Sequence, residues 1–97
     1  MPLTVVITRD VKNRYRGYLA SLMLECSAGV YVAPDMNKGV RTRLWLVISD
    51  WWDELPGGSI VMIWRDNSAV GKMRIKSLGV PSRKIVDGDG VLLAHRQ

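Results

Sequence analysis

Asp10 stands just beyond an apolar run, Leu3 to Thr8, at a position from which a carboxylate can bind a divalent cation and support metal-dependent phosphodiester cleavage. It has no carboxylate close by in the sequence. A metal site would therefore need Asp10 from two protomers to meet across a twofold axis, and the structural alternative is that Asp10 caps the helix that follows it. His95, the sole histidine, lies near the end of the chain and reads as a surface residue. Cys26 has no histidine partner and falls within a helical apolar pattern, which reads as core. Asp87 and Asp89 flank Gly88 in ordinary turn chemistry. Gly57-Gly58 follows a helical stretch instead of opening one, so it is not a phosphate loop. Trp45, Trp51, Trp52 and Trp64 read as core and interface mass, able to stack on bases only if exposed.

The cations are more informative. The chain carries 14 Lys+Arg against 9 Asp+Glu, a formal charge of +5. Residues 1–58 hold 7 basic and 6 acidic groups and residues 59–97 hold 7 and 3, so the excess lies in the second part. Within 65–84 it is concentrated further: Arg65, Lys72, Arg74, Lys76, Arg83 and Lys84 face only Asp66. Lys72, Arg74 and Lys76 recur every second residue, so a strand would place all three on one face, either as a track for phosphates or as a solvated, aggregation-resistant edge. Lys12, Arg14 and Arg16 fall in the first turns of a helix, where positive charge opposes the helix dipole at a few tenths of a kcal/mol per exposed group. Lys38, Arg41 and Arg43 read as the solvated face of a second helix.

The elements that must position these groups follow from periodicity. Leu3 to Thr8 is a β-branched run, apolar on both faces, and predicts a central strand. Val11, Tyr15, Leu19, Leu22, Met23 and Cys26 repeat at helical spacing, and Ser27-Ala28-Gly29 ends that helix before a short strand over Val30 to Val32. A second helix is predicted to begin at Pro34, with Asp35 in its first turn, and to carry an apolar stripe of Met36, Val40, Leu44, Val47, Ile48 and Trp51. Leu55-Pro56-Gly57-Gly58 stops it. Ile60 to Trp64 and Val70 to Leu78, joined through Asp66-Asn67-Ser68, predict a hairpin. Gly79-Val80-Pro81-Ser82 breaks it, Asp87-Gly88-Asp89-Gly90 is a further turn, and Val91 to Ala94 is a short terminal strand. This order gives one α+β domain over residues 1–97, ferredoxin-like, with two helices on one face of an antiparallel sheet. The other face, with Val6, Val61 and Ile63 assigned to it, lacks cover within the chain. A homodimer packed through the sheets would supply it.

Several segments together resemble a known family: Val5-Val6-Ile7-Thr8, Arg14-Tyr15-Arg16-Gly17-Tyr18-Leu19, Leu24-Glu25 with Ala28-Gly29-Val30-Tyr31-Val32, Val61-Met62-Ile63-Trp64, Gly79-Val80 with Arg83-Lys84, and Val86-Asp87-Gly88-Asp89-Gly90. In this order they resemble the small CRISPR-associated protein number two in its type I-E form, over nearly the whole chain. The resemblance implies a ferredoxin-like homodimer that bridges two dimers of the CRISPR integrase and carries spacer duplex DNA by its phosphates, without reading sequence. It implies nucleic-acid-binding roles for Arg14 and Arg16, for Arg83 and Lys84, and for Lys38 across a loop that differs by one residue. It also implies that the strand at 91–94 docks on the partner protomer or on the integrase. Members are described as metal-dependent endonucleases of RNA or DNA, which would make Asp10 the catalytic and magnesium-binding residue. The family's acidic position, however, is occupied here by Arg9, with Asp10 beside it, and a shift of one along a strand reverses the side-chain direction. The expectation is a scaffold that does not cleave and needs no cofactor, with the nuclease as the alternative. A third class, a small metabolite-sensing domain, would lack a continuous positive track.

Length and composition set the outer limits. Ninety-seven residues, 47% hydrophobic, make one domain that buries roughly 60–70% of its unfolded surface. One cysteine excludes an internal disulfide framework, and no apolar run approaches the ~18–20 residues that span a bilayer. The N-terminal residues lack a secretory pattern, so the expected location is the cytoplasm, with no membrane partner.

Overall fold

The computed structural model describes residues 3–79 in full and the strand backbones over residues 83–88 and 91–96. Strand β1 (Thr4–Arg9) leads to helix α1 (Asn13–Leu22), strands β2 (Leu24–Ser27) and β3 (Val30–Ala33), helix α2 (Lys38–Glu54) and strand β4 (Ser59–Arg65). A 3-10 turn over Val70–Lys72 precedes β5 (Met73–Leu78), and β6 (Arg83–Gly88) pairs antiparallel with β7 (Val91–Arg96) as a separate two-stranded ribbon. The main sheet has the order β2-β3-β1-β4-β5, antiparallel at every junction. Each helix connects two strands that flank a third, which is the ferredoxin-like arrangement of an α+β domain, here extended by β5. Among the described residues no helix is long and apolar enough to cross a membrane.

The β1 pattern explains its central place. Thr4 and Val6 are fully buried toward the helices, while Val5 and Ile7 point to the other face. Val6 therefore belongs to the helix-covered core, contrary to its assignment from sequence, whereas Val61 and Ile63 do lie on the uncovered face of β4. Around Val6 the core gathers Tyr15 and Leu19 of α1, Tyr31 of β3, Leu44 and Ile48 of α2, and Ile60, Met62 and Trp64 of β4. On the opposite face the strand register aligns Leu24, Val32, Val5, Ile63 and Ile75 into one apolar row crossing all five strands.

Three predicted boundaries shift. The first helix stops at Leu22, because Met23 turns extended and Leu24–Ser27 pairs with β3. Cys26 is consequently exposed on an edge strand and is not core. The spacing of Leu22, Met23 and Cys26 fits a helix locally, but hydrogen bonding to β3 decides the matter. The second helix starts at Lys38, not at Pro34, because the Asn37 side chain accepts the Val40 N–H at 2.9 Å and fixes the start there. The third difference is a strand over Arg83–Gly88, in a stretch where the sequence pattern predicts only a break and a turn. The four tryptophans behave as expected: Trp64 is core, and Trp45, Trp51 and Trp52 pack against it half-buried.

Candidate nucleic-acid interface

The C-terminal end of β1, the start of α1 and the turn between β2 and β3 meet at one end of the sheet. That turn is built on Gly29, whose φ of +76° suits glycine, and a Cβ there would lie 2.7 Å from the Thr8 carbonyl oxygen. Thr8 donates its N–H and its hydroxyl to the Gly29 carbonyl at 2.7 and 3.0 Å, and the Gly29 N–H donates to Glu25 Oε2 at 3.0 Å. The last bond, with help from the Tyr31 hydroxyl and Arg16, holds the Glu25 carboxyl below its ordinary range. Glu25 faces Arg16 across the sheet edge, 3.6 Å from its guanidinium, and the Tyr31 hydroxyl and Glu25 together favour the charged form of that arginine. The Arg16 side chain remains about half exposed, at 49%.

Arg14 is positioned from the other side. Its guanidinium carbon sits 4.2 Å from the centre of the Trp51 ring, a cation–π contact that rests on an aromatic group joining both helices. Trp51 packs edge-on to Tyr15 at 5.9 Å and to Tyr18 at 5.2 Å, and Trp52 lies 6.0 Å from Tyr15. The buried Tyr15 hydroxyl donates to the Leu55 carbonyl at 2.8 Å, tying α1 to the end of α2, and burial raises its pKa. Two exposed arginines are thus each held by a residue from a distant segment.

Asp10 lies in the same region but does not cap α1. Its φ is +56°, and the residue at the cap position is Lys12, which makes no side-chain capping bond. The chain turns sharply here because Gly58 approaches so closely that a Cβ on it would collide with the Arg9 and Asp10 carbonyls. Arg9, Asp10 and Arg16 line one polar cavity of about 510 Å³ with Thr8 and Gly29. Asp10 is the one carboxylate of this lining and stands between Arg9 and Arg16, the latter already paired with Glu25, so these residues do not fit a magnesium site within one protomer. Among the described residues no cluster of three metal-ligating side chains occurs.

Lys38 lies elsewhere. It lines a groove with Arg41, Trp64, Arg74 and Lys76 near the Thr4–Trp64 end of the sheet, roughly 17 Å along β1 from Arg9 at strand rise. The predicted stripe is also changed. Lys72 sits in the 3-10 turn with φ +61° and donates to the Asn67 carbonyl at 3.2 Å, leaving Arg74 and Lys76 on the helix-facing side of β5. Arg74 is paired with Asp66 at 2.7 Å, and Asp66, which also accepts from the Ser68 hydroxyl, is held well below the usual carboxylate range by Ser68 first and Arg74 second. The side chains of Arg83 and Lys84 lie outside the described residues, as does that of His95.

Sequence reading missed the supports of the arginines, Glu25, Tyr31 and Trp51, since nothing in local spacing links them to positions 14 and 16. Arg41 was assigned to a solvated face, yet its guanidinium carbon lies 4.7 Å from the centre of the Trp64 ring. A family model, CRISPR-associated protein (Cas_Cas2CT1978), matches residues 3–93. The chain belongs to this family. Membership in the Cas2 kind of CRISPR-associated protein supports a role in CRISPR adaptation. Within the family match fall Asp10, both first-helix arginines with their supports, and the whole α2–β5 groove.

Proposed function

We propose that this protein is a type I-E form of its family and acts as a non-catalytic scaffold in spacer acquisition. In this reading a homodimer, closed through the apolar row on the uncovered sheet face, holds double-stranded DNA by its phosphates and bridges dimers of the CRISPR integrase. Burying Leu24, Val32, Val5, Ile63 and Ile75 against a second copy would remove a continuous apolar surface from water. The C-terminal strand, together with Arg83 and Lys84, belongs to the same proposal as a docking element and a further phosphate contact.

The observation that carries this reading is the support of Arg14 by Trp51 and of Arg16 by Glu25 at one end of the sheet. Fixed guanidinium groups lose less freedom on meeting a phosphate and can engage it with two parallel N–H bonds. Such contacts ignore base identity and weaken with salt. Arginine near Asp10 also favours phosphate over metal, which supports scaffolding over cleavage.

The test is duplex binding and spacer integration with the purified protein carrying R14A and R16A together. We expect weaker, still sequence-independent binding, loss of integration and an unchanged oligomeric state. If duplex affinity and integration are both unaltered, the scaffold reading loses its support. A second reading, a magnesium-dependent endonuclease acting on RNA or DNA, has one specific observation in its favour: Asp10 is exposed and held at a positive φ at the end of β1. It requires a second protomer to bring another Asp10 opposite the first. Nuclease activity abolished by D10A but not by R14A/R16A would establish it.

A further inference from the structure

We infer that the groove between α2 and β5 is a second phosphate-binding station, in which Arg41 and Lys76, assisted by Lys38, hold the backbone of the nucleic acid carried by Arg14 and Arg16. The inference rests on the DNA-binding reading above, and what it adds to the expectation already attached to Lys38 is Arg41 and Lys76, at the other end of the sheet.

The groove has a volume of about 410 Å³. Its cations come from two elements: Lys38 and Arg41 lie one turn apart at the start of α2, and Arg74 and Lys76 lie two apart on β5. Asp66 is the one carboxylate on its wall, and it is committed to Arg74 and Ser68. Arg41, Lys38 and Lys76 make no ion pair among the described residues, which leaves three uncompensated positive charges around one concavity. The first turn of α2 contains no acidic residue, so the positive end of the helix dipole adds to them.

A solvated helix face would leave Arg41 free to move. Instead Arg41 stacks on Trp64, a residue only 7% exposed, whose indole N–H is buried without a hydrogen-bond partner among the described residues. The ring contact restrains the guanidinium, and Arg41 spends none of its charge on a carboxylate among the described residues, which suits it to meet a phosphate. Thr42 adds a hydroxyl to the same wall. The lining is polar and shallow for a small apolar ligand, and its charge calls for an extended polyanion. The two stations lie toward opposite ends of β1, whose ~17 Å length is about five base pairs of duplex rise, a scale on which one duplex spans several phosphates.

The experiment measures binding of a fluorescein-labelled, mixed-sequence DNA duplex to the full chain as a function of NaCl. Three proteins are compared: wild type, R41Q/K76Q and R14Q/R16Q. In R41Q/K76Q the slope of log affinity against log salt should become shallower by about 2 for each protomer that touches the duplex. Between about 50 and 200 mM salt the wild type should then lose roughly tenfold more affinity than the variant. K76Q alone, on an exposed strand position, should give about half that change in slope, and R41K should keep the wild-type slope. Unaltered affinity and slope in R41Q/K76Q, with R14Q/R16Q weakened, would overturn the inference and leave the groove to an acidic protein segment. No change in either double variant would refute the DNA-binding reading as well.

Discussion

Replacing Gly29 by alanine tests whether the turn between β2 and β3 is what organises the arginine end of the sheet. An L-residue held at φ +76° costs about 1–2 kcal/mol relative to glycine. The new Cβ would also stand 2.7 Å from the Thr8 carbonyl oxygen, a backbone atom that cannot move aside without moving β1. Shifting the turn stretches the Thr8-to-Gly29 bond, 2.7 Å, and the Gly29-to-Glu25 bond, 3.0 Å. Losing one of them adds about 0.5–1.5 kcal/mol. The sum is roughly 1.5–3.5 kcal/mol out of the 5–15 kcal/mol typical of a domain this size. Thermal unfolding followed by circular dichroism should show Tm lowered by at least about 6 °C. Asn at position 29 tolerates the left-handed region but still carries a Cβ, so it should recover only the conformational part. Gly17 is the internal control, because it lies within α1 with nothing within 4 Å of a built Cβ. G17A should stabilise the protein by about 0.5–1 kcal/mol. A G29A protein melting within about 2 °C of wild type would refute the packing argument.

Other expectations concern the supports of the site. Y15F removes the bond from the Tyr15 hydroxyl to the part-buried Leu55 carbonyl, so urea unfolding should report a loss of about 0.5–1.5 kcal/mol. W51L takes away the ring beneath Arg14; duplex affinity should fall about 2–5-fold in titrations at low salt, and the fall should vanish in an R14Q background. Glu25 and Asp66 both have carboxyl groups held below their ordinary range in the folded chain, so their stabilisation is complete above the unfolded pKa and is lost as pH falls through the folded one. Stability should therefore decline below about pH 4, and melting curves of E25Q/D66N should depend less on pH in that interval.

The parts of the fold legible from sequence were those where one pattern dominates. The β-branched run at Val5-Val6-Ile7 could only be a buried strand, and Pro56-Gly57-Gly58 could only stop a helix. Leu24–Ser27 was not legible because four residues satisfy helical and alternating spacing equally, and the choice is made by hydrogen bonds to Val30–Ala33. The start of α2 turned on Asn37, whose capping bond outweighs the favourable but weak signal of Pro34-Asp35. The cations at the start of α1 drew notice because Lys12, Arg14 and Arg16 all oppose the helix dipole, and it was the family resemblance that singled out Arg14 and Arg16 among them. Their supports were hidden, since Trp51 is brought to Arg14 by helix packing and Glu25 to Arg16 by a strand that sequence reading had made helix. Lys72 was misplaced because the turn inserts a left-handed residue and breaks the alternation that Arg74 and Lys76 keep.

The way each arginine is held carries a consequence for how relatives of this chain can diverge. Arg14 leans on a ring from α2, and Arg16 leans on a carboxylate from an edge strand, so each proposed DNA contact depends on a second residue that is not itself a cation. Selection acting on the arginines therefore extends to positions 51 and 25. Homologues that lose the ring at 51 should tend to replace the cation at 14, and those that lose the acid at 25 should tend to alter 16, so that the two pairs drift together through the family.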